Sequence, residues 1–496
     1  MKRLYILLYF TLSVSSFLMA YDYQTVYSQR TALFSDSYGN IKSMRIDSVQ
    51  FSQDSILYPI KNIQKLGSNC YTPYGASWLG AKIIVKPTWN YFFNENNDTI
   101  RIKTDAKLNE TWKVFGKEDV WVSGTVIKVE LLTFMGLTDS VKTIEFNMTI
   151  ATSATVSSKS IAKFVADFDG KIIQISKHYG LIKTYNFNVF PYFSDTQETY
   201  MGTWQQFNLV GLTNPKAGVQ NLTSFDIFDF QVGDELHTIE KNIPALGGVP
   251  PGFLSERDQI EKYIKRLDFQ DSIKYTVEVS LRTITHVSGI EYLIKNLHYT
   301  TTQIVMPNHD FDILPEVPLI NTYSANKYSM YYDGVTTTKR EPDIFNEIHR
   351  TADSCWSLIL ADGCLPTFSY VKGLGGPYYS CSGIMGDSQD NSLVYYKKGL
   401  STWGTPLIIT GTNQPKAMSE IEIYLNPTTD KLTINHELPP GESTFELLDL
   451  QGKVVRKLII RDNENQLSLA EFSKGLYLYR LINNGKLLKA GKIVKM

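Results

Sequence analysis

Ser176 and His178 are the two residues of this chain whose spacing comes nearest to a nucleophile and its base. In a hydrolase of this kind the histidine takes the serine proton, and a third group orients the histidine. The sequence places no such group beside this pair, and Gly180 follows almost directly. We therefore expect His178 to be a turn residue between two strands and not a catalytic base.

Cys70 and two acidic clusters are further candidates for chemistry. A catalytic thiol needs surroundings that lower its pKa, and nothing near Cys70 indicates them. The clusters at 167–169 and 387–391 could offer oxygen ligands to calcium, but they lack the ligand spacing, glycine and final glutamate of an EF-hand loop. We favour a structural disulfide for Cys70 and solvated turns for the acids.

Signatures of the common hydrolases are missing from the sequence. It contains neither a Gly-x-Ser-x-Gly elbow nor a His-Glu-x-x-His zinc helix. Adjacent aromatic pairs such as Tyr331 with Tyr332 and Tyr378 with Tyr379 could stack on sugar rings, but neighbouring strand residues point to opposite faces, so half of each pair should be core. The sequence thus predicts no catalytic residue, no metal site and no cofactor.

The first twenty residues have the features of a signal peptide. Lys2 and Arg3 precede an apolar run over 4–19, and the small residue Ala20 follows. A helix that spans a membrane needs about 20 apolar residues, and this run is shorter. The alternative to a cleaved signal is a retained N-terminal anchor. No cysteine lies at the cleavage position, so a lipid anchor is not expected there. We predict a signal peptide over 1–20.

Short alternating strands separated by turn residues fill 421–496. Asn484 and Gly485 form a strong two-residue hairpin signal, because a type I′ turn needs positive φ at both central positions. Regularly spaced short strands of this kind are typical of a compact β-sandwich. This segment resembles the type A C-terminal sorting domain of proteins exported by the bacterial type IX secretion system. The resemblance is carried by Asn426, Pro427, Asp449, Gly452, Lys453, Gly475, Tyr477, Lys492 and Lys495.

The resemblance implies an export route and its partners. It implies passage through the Sec translocon to the periplasm, recognition by the type IX translocon at the outer membrane, and secretion or display at the cell surface. Leu425 stands where the family more often has a first proline. The alternative is an ordinary immunoglobulin-like module of an extracellular protein.

Composition limits what the rest of the chain can be. The formal net charge of the 496 residues is −1 and charged residues make up 20%, which argues against a nucleic-acid partner because phosphate binding needs clustered Lys and Arg. The 30 tyrosines and 25 phenylalanines suit the half-buried surface of strands. We therefore predict a mainly antiparallel β protein.

Five segments are expected. They are a signal peptide at 1–20, a large β domain at 21–306, a smaller cysteine-containing β region at 307–410, a linker at 411–419 and the Ig-like sorting domain at 420–496. One helix is predicted over 255–267, where apolar residues recur at helical spacing behind a Pro-Pro-Gly break. Residues 228–237 and 373–379 are similar to pieces that recur in exported proteins with this tail, which implies a shared scaffold without an activity.

Four cysteines in an exported chain indicate disulfides. The candidates are Cys70, Cys355, Cys364 and Cys381, and four thiols allow three pairings. We prefer Cys355 with Cys364, because they flank an Asp-Gly turn and could staple a hairpin, which leaves Cys70 with Cys381. The spacing lacks the Cys-x-x-Cys of zinc sites.

Two functions are compatible with the sequence. The first is a secreted or cell-surface protein whose β-rich region is non-catalytic and serves binding, adhesion or surface structure, with an extracellular protein or glycan as its ligand. The alternative is a secreted hydrolase, for example one acting on glycans, whose two carboxylates meet only in the folded chain. Two carboxylates facing each other across a cleft would favour the hydrolase.

Overall fold

The computed structural model is almost entirely β, with 64% of the described residues in strands and 2% in helices. The predicted fold class is confirmed. The structure describes residues 22–51, 54–67, 69–117, 120–150, 168–191, 205–244, 253–287, 290–341, 347–351, 355–358, 364–383, 386–409, 422–424, 427–435, 443–460, 464–483 and 486–496. The predicted signal peptide and linker lie outside these ranges and stay predictions.

The strands before residue 245 are β1 (Ala32–Ser35), β2 (Ile41–Met44), β3 (Ile46–Phe51), β4 (Ser55–Pro59), β5 (Asn62–Lys65), β6 (Tyr71–Gly75), β7 (Lys82–Val85), β8 (Trp89–Phe93), β9 (Thr99–Lys103), β10 (Thr111–Lys117), β11 (Val120–Phe134), β12 (Leu137–Ile150), β13 (Lys171–Ser176), β14 (Gly180–Tyr185), β15 (Gln206–Thr213), β16 (Lys216–Gly218) and β17 (Glu235–Ile243). Those up to residue 409 are β18 (Leu254–Asp268), β19 (Ile273–Val287), β20 (Ile290–Val305), β21 (Pro318–Ile320), β22 (Ser324–Lys327), β23 (Ser329–Tyr332), β24 (Thr337–Arg340), β25 (Ile348–Arg350), β26 (Trp356–Leu358), β27 (Ser369–Val371), β28 (Gly375–Ser382), β29 (Ser388–Lys398) and β30 (Ser401–Gly404). The C-terminal strands are β31 (Glu422–Tyr424), β32 (Lys431–Asn435), β33 (Ser443–Leu448), β34 (Val454–Ile460), β35 (Glu464–Ser468), β36 (Gly475–Asn483) and β37 (Lys486–Lys495). Two short helices are α1 (Ser224–Ile227) and α2 (His309–Asp312).

A nine-stranded and a five-stranded sheet share the core of the N-terminal part. The nine-stranded sheet has the order β10-β11-β12-β13-β14-β15-β1-β2 with β16 on β15, and the five-stranded sheet has the order β3-β4-β7-β8-β9. Buried Phe34 and Phe146 of the first sheet and Phe92 of the second belong to one apolar cluster. Burial of such large apolar side chains is the main stabilising term in a fold of this type.

A ten-stranded sheet takes strands from both sides of the boundary predicted at 306/307. Its order is β20-β19-β18-β17-β29-β28-β27-β24-β23, with β30 on β29. β17 pairs with β18 on one side and with β29 on the other, so segments about 150 residues apart share one ladder. The division into 21–306 and 307–410 remains a prediction about domains.

The helix predicted over 255–267 is wrong. Those residues belong to β18, a strand of 15 residues that pairs with β19 along its length and with β17 over residues 255–262. Ile264 and Leu267, which looked like part of a helical apolar stripe, are 40% and 41% exposed, whereas Tyr263 is buried. Pairing on both sides satisfies the backbone of β18, and this tertiary gain outweighs helix propensity.

The preferred pairing of Cys355 with Cys364 is also wrong. Cys70 is bonded to Cys355, with Cα atoms 5.4 Å apart, and Cys364 to Cys381, with Cα atoms 5.5 Å apart. Trp356 of β26 pairs with Tyr71 of β6, which brings the preceding cysteines together across 285 residues. Sequence distance could not reveal this, because the contact is made inside a six-stranded sheet of order β21-β22-β25-β26-β6-β5.

The C-terminal module contains a three-stranded sheet, β31-β32-β35, and a four-stranded sheet, β34-β33-β36-β37. Leu432 and Ile434 of the first and Phe445, Leu447 and Leu481 of the second are buried in one apolar cluster. Two antiparallel sheets that share a core form a sandwich, as predicted.

Candidate functional site

The central turn of the C-terminal module explains three of the predicted motif residues. The Oδ1 atom of Asp449 accepts the backbone N–H of Gln451 at 3.0 Å and that of Lys453 at 2.9 Å. Gly452 has φ +83°, in the left-handed region that favours glycine. Asp449 and Gly452 therefore shape a turn between β33 and β34, and Lys453 supplies a backbone donor to it.

The start and end of the module are held together. The backbone N–H of Thr428, directly after Pro427, donates to the Val494 carbonyl at 2.9 Å, and Met496 N–H donates back to Thr428 at 2.8 Å. Lys495 is buried and its ammonium donates to the Thr429 carbonyl. Pro427 and Lys495 thus lie where the two ends of the module meet, while Asn426 lies outside the described residues.

The remaining motif residues belong to the last hairpin. Gly475 opens β36 opposite Lys495 of β37. The Tyr477 hydroxyl donates to the Ser473 carbonyl at 2.9 Å, and its ring packs against the module core. Lys492 is exposed on β37 opposite Leu478, which is 39% exposed. Lys492 thus lies at the surface of the last hairpin, as does Gly475, while Tyr477 contributes to the module core.

Ser176 and His178 are brought together by Asp139, which the sequence did not single out. The Asp139 carboxylate accepts hydrogen bonds from the Ser176 hydroxyl and, at 2.8 Å, from the His178 backbone N–H. Its Oδ1 atom also lies 2.9 Å from His178 Nδ1. Ser176 is fully buried and binds the carboxylate directly, so the histidine does not stand between them. This order does not match a nucleophile, base and orienting acid. The cluster holds the turn between β13 and β14.

The acidic clusters hold turns in the same way. Asp387 accepts the Cys364 backbone N–H at 2.8 Å, and Asp169 accepts that of Met148 at 2.8 Å. Across the described ranges, no group of three or more His, Cys, Asp or Glu side chains is arranged to hold a metal ion.

One cavity in the ten-stranded sheet combines rings and polar groups. It has a volume of about 320 Å³ and is lined by residues of β17, β18, β20, β28 and β29 and of the segment before β17. The lining residues are Phe228, Phe230, Leu236, Thr238, Gln259, Glu261, Tyr263, Gln303, Gly375, Gly376, Tyr378 and Asn391. Cavities of this size accept small ligands.

Aromatic rings make up part of the lining of this cavity. Phe230 and Tyr263 are both 2% exposed and stack with ring centroids 4.1 Å apart. Phe228 and Tyr378 are half-buried and border the same space. Gly375 has φ +77°, and a Cβ there would lie 3.1 Å from the Phe230 ring, so glycine lets β28 approach the rings closely.

A hydrogen-bonded carboxylate lines the cavity next to Tyr263. Glu261 Oε1 accepts the amide N–H groups of Gln259 and Gln303, each at 2.9 Å. The Tyr263 hydroxyl lies 3.3 Å from Glu261 Oε2. Burial raises the pKa of the Glu261 carboxyl above its usual value, although these hydrogen bonds oppose the change.

Two segments that the sequence analysis singled out line this cavity, whereas its polar residues were not singled out. Residues 228–237 supply Phe228, Phe230 and Leu236, and residues 373–379 supply both glycines and Tyr378. The sequence singled out both segments, but only as scaffold. Gln259, Glu261 and Gln303 were missed because they lie on long strands with polar residues on both faces, and 259 and 261 fall in the mistaken helix.

The comparisons with known proteins assign the C-terminal module. The family model described as secretion system C-terminal sorting domain matches residues 422–496. The sandwich is thus a module that directs export. It is a type IX secretion sorting domain, as the sequence predicted, and it implies interaction with the type IX machinery and export to the cell surface or the extracellular space.

The comparisons assign nothing to the rest of the chain. No curated protein matches the sequence. PorZ of Porphyromonas gingivalis, described as an essential bacterial surface component of the type IX secretion system, is 8% identical over 95% of this chain and 81% of PorZ, with a TM-score of 0.14. The extracellular domain of BT4673 from B. thetaiotaomicron is 8% identical over 96% of this chain and 99% of its own, also with a TM-score of 0.14. Neither likeness is strong enough to carry an argument. Among the described residues, no helix has the length and apolar character to cross a membrane.

Proposed function

We propose that the region ahead of the sorting domain is a binding protein that acts at the cell surface or in the medium. The sorting domain supports the location. The observation that carries the binding role is the cavity of about 320 Å³, where aromatic rings lie beside amide, hydroxyl and carboxyl groups. Ligand sites commonly combine aromatic side chains with a few polar groups that fix the orientation of the ligand.

The arrangement of acids favours binding over glycan hydrolysis. Glycosidases place two carboxyl groups about 5–10 Å apart. Among the lining residues, which all belong to the described part of the chain, Glu261 alone carries a carboxyl. Glu240 lies opposite Arg257 in the β17–β18 ladder. Arg257 is four residues from Glu261 along β18, so Glu240 and Glu261 are about 13 Å apart at the rise of a strand, which is beyond the glycosidase range. Glu240 also lies 3.7 Å from the Arg257 guanidinium.

The proposal is tested by thermal unfolding of the purified full-length chain in the presence of four ligand classes: neutral sugars, amines, carboxylic acids and amino acids. At least one class should raise the unfolding temperature, because a ligand that binds only the folded state stabilises it by mass action. The same ligand should be recovered unchanged after prolonged incubation. No stabilisation by any class, or conversion of the stabilising ligand, would overturn the proposal.

A further inference from the structure

We infer that the cavity between β17, β18, β20 and β28 binds a neutral saccharide, with Glu261, Gln259, Gln303, Thr238 and Asn391 reading its hydroxyl groups. This inference rests on the proposed binding function. A volume of about 320 Å³ lies at the lower end of the range for ligand pockets, about 300–1,000 Å³. The space therefore suits one or two sugar rings at the end or within a longer chain.

The polar wall offers donors and acceptors side by side. Each glutamine amide carries two N–H groups, and Gln259 and Gln303 each direct one to Glu261 Oε1, which leaves the other for a ligand. Acceptors come from Glu261 Oε2, whose described partner is the Tyr263 hydroxyl at 3.3 Å, and from Asn391 Oδ1, because the Asn391 amide nitrogen donates to the Pro377 carbonyl. Such a wall matches groups that both donate and accept, and a hydroxyl is the common ligand group that does so.

Thr238 adds a hydroxyl to this wall. It lines the cavity from β17, and within the described ranges its side chain makes no hydrogen bond. Thr238 and Gln259 lie opposite each other in the β17–β18 ladder, so the hydroxyl is next to the amide. A site built to hydrogen-bond ligand hydroxyls rejects ligands that leave its polar groups unpaired.

The aromatic side suits the other surface of a sugar. A pyranose ring has an apolar face of C–H groups, and a half-buried aromatic ring offers a flat partner for it. Phe228 and Tyr378 are half-buried at this cavity, while Phe230 and Tyr263 lie deeper. The Tyr378 hydroxyl donates to the Leu374 carbonyl, which fixes the orientation of its ring. The site therefore combines rings that can stack on a sugar with polar groups that can hydrogen-bond its hydroxyls.

Charge argues against an ionic ligand. None of the lining residues is Lys or Arg, and an anion would meet Glu261 without a cation to offset the repulsion. Arg257, which lies four residues from Glu261 along β18, is directed to Gln259 Oε1 at 3.3 Å and to Glu240. A cationic amine could approach Glu261 but would face the free N–H groups of two glutamines, which it cannot accept. A neutral polyhydroxyl ligand avoids both conflicts.

Calorimetric titration of the full-length chain provides the test. The probes are cellotriose, maltotriose, xylotriose and mannotriose as neutral sugars, trigalacturonate as an acidic sugar and choline as a cation. We expect at least one neutral trisaccharide to bind more tightly than trigalacturonate and choline. Tighter binding of choline or trigalacturonate would overturn the saccharide inference and leave the proposed binding function in place. Failure of all six probes would overturn the saccharide inference, and the wider ligand panel then decides the binding function separately.

Matched variants locate the site. Glu261→Gln and Thr238→Val keep the shape of their side chains but remove an acceptor charge and a hydroxyl, and each should weaken trisaccharide binding about tenfold, or 1.4 kcal/mol. Glu278→Gln and Thr276→Val are the controls, because both residues lie on the other face of the same sheet, between the buried Tyr275, Val277 and Val279. The controls should bind as the unchanged chain does. If Glu261→Gln fails to fold, Thr238→Val alone decides. Equal affinities for site and control variants would overturn the assignment.

Discussion

The part of the chain ahead of the linker, residues 21–410 and here called the cargo, contains the same five-residue turn as the sorting domain, in different surroundings. In the cargo, Asp36 Oδ1 accepts the backbone N–H groups two and four residues later at 2.8 and 2.9 Å, and Gly39 has φ +86°. In the sorting domain, Asp449 makes the same two bonds at 3.0 and 2.9 Å, and Gly452 has φ +83°. The two turns thus share these backbone hydrogen bonds and the left-handed glycine.

The surroundings separate them. A Cβ on Gly39 would lie 2.5 Å from the Tyr331 ring and 2.7 Å from the Tyr332 carbonyl oxygen, atoms nearly 300 residues away in sequence. A Cβ on Gly452 would meet no atom within 4 Å. The turn of the sorting domain thus depends on residues close in sequence, whereas the turn of the cargo also depends on a contact with a distant segment. This explains why the export route could be read from the sequence and the cavity could not.

Removing the disulfides should give the largest difference in stability between the cargo and the sorting domain, because all four cysteines lie in the cargo. Cys70→Ser with Cys355→Ser opens a loop of 285 residues and should lower the free energy of unfolding by about 5 kcal/mol. Cys364→Ser with Cys381→Ser opens a loop of 17 residues and should lower it by about 3 kcal/mol. Urea unfolding of the full chain measures both losses.

The sorting domain serves as the internal control for these variants. Hydrogen exchange of its core strands, such as β33 and β36, should be unchanged when either disulfide is removed. A non-reducing peptide map that links Cys355 to Cys364, or equal losses in the two double variants, would contradict the account.

The two glycines give the next largest effect. Gly39→Ala should destabilise the cargo by about 3 kcal/mol, because a left-handed conformation and a steric clash add together. Gly452→Ala should cost the sorting domain about 1 kcal/mol, from the conformation alone. Local hydrogen exchange around each turn reports both costs. Equal costs would show that the Tyr331 contact does not constrain the cargo turn.

Two buried carboxyl groups should give pH dependences of opposite sign, the smallest effect of the three. Burial raises the pKa of Glu261, so its contribution to stability is fully present below about pH 4.3, the ordinary glutamate value, and is lost as pH rises through the raised pKa. A hydrogen bond from Arg480 lowers the pKa of Glu446, whose contribution is present above that ordinary value and lost as pH falls through the lowered pKa.

The measurement is the difference in unfolding free energy between the unchanged chain and each glutamine variant from pH 3 to pH 8. The difference for Glu261→Gln should fall with rising pH, and the difference for Glu446→Gln should rise. Slopes of the same sign would mean that the cargo cavity does not desolvate Glu261.

Much of the fold could be predicted because it depends on local patterns. The mainly β class and the C-terminal sandwich were predicted correctly, since alternation of apolar side chains in short segments is a short-range signal. The helix over 255–267 failed because β18 has polar residues on both faces and gains its stability from two neighbouring strands.

The candidate site was beyond prediction for a related reason. Its polar wall joins Thr238, Gln259, Gln303 and Asn391 from four strands, and no spacing rule connects them. The disulfide partners failed likewise, because Cys70 and Cys355 meet only through the pairing of β6 with β26. Aromatic and glycine segments that looked like scaffold proved to line the cavity.

The central claim about this protein is that the sorting domain directs the cargo out of the cell. The test compares the full chain with a chain that lacks residues 422–496, both expressed in a bacterium with type IX secretion and followed by fractionation of cells and medium. We predict that the shortened chain, with its Cys70–Cys355 disulfide formed, stays inside the outer membrane, while the full chain reaches the surface or the medium. Equal amounts of both chains outside the cell would contradict the account.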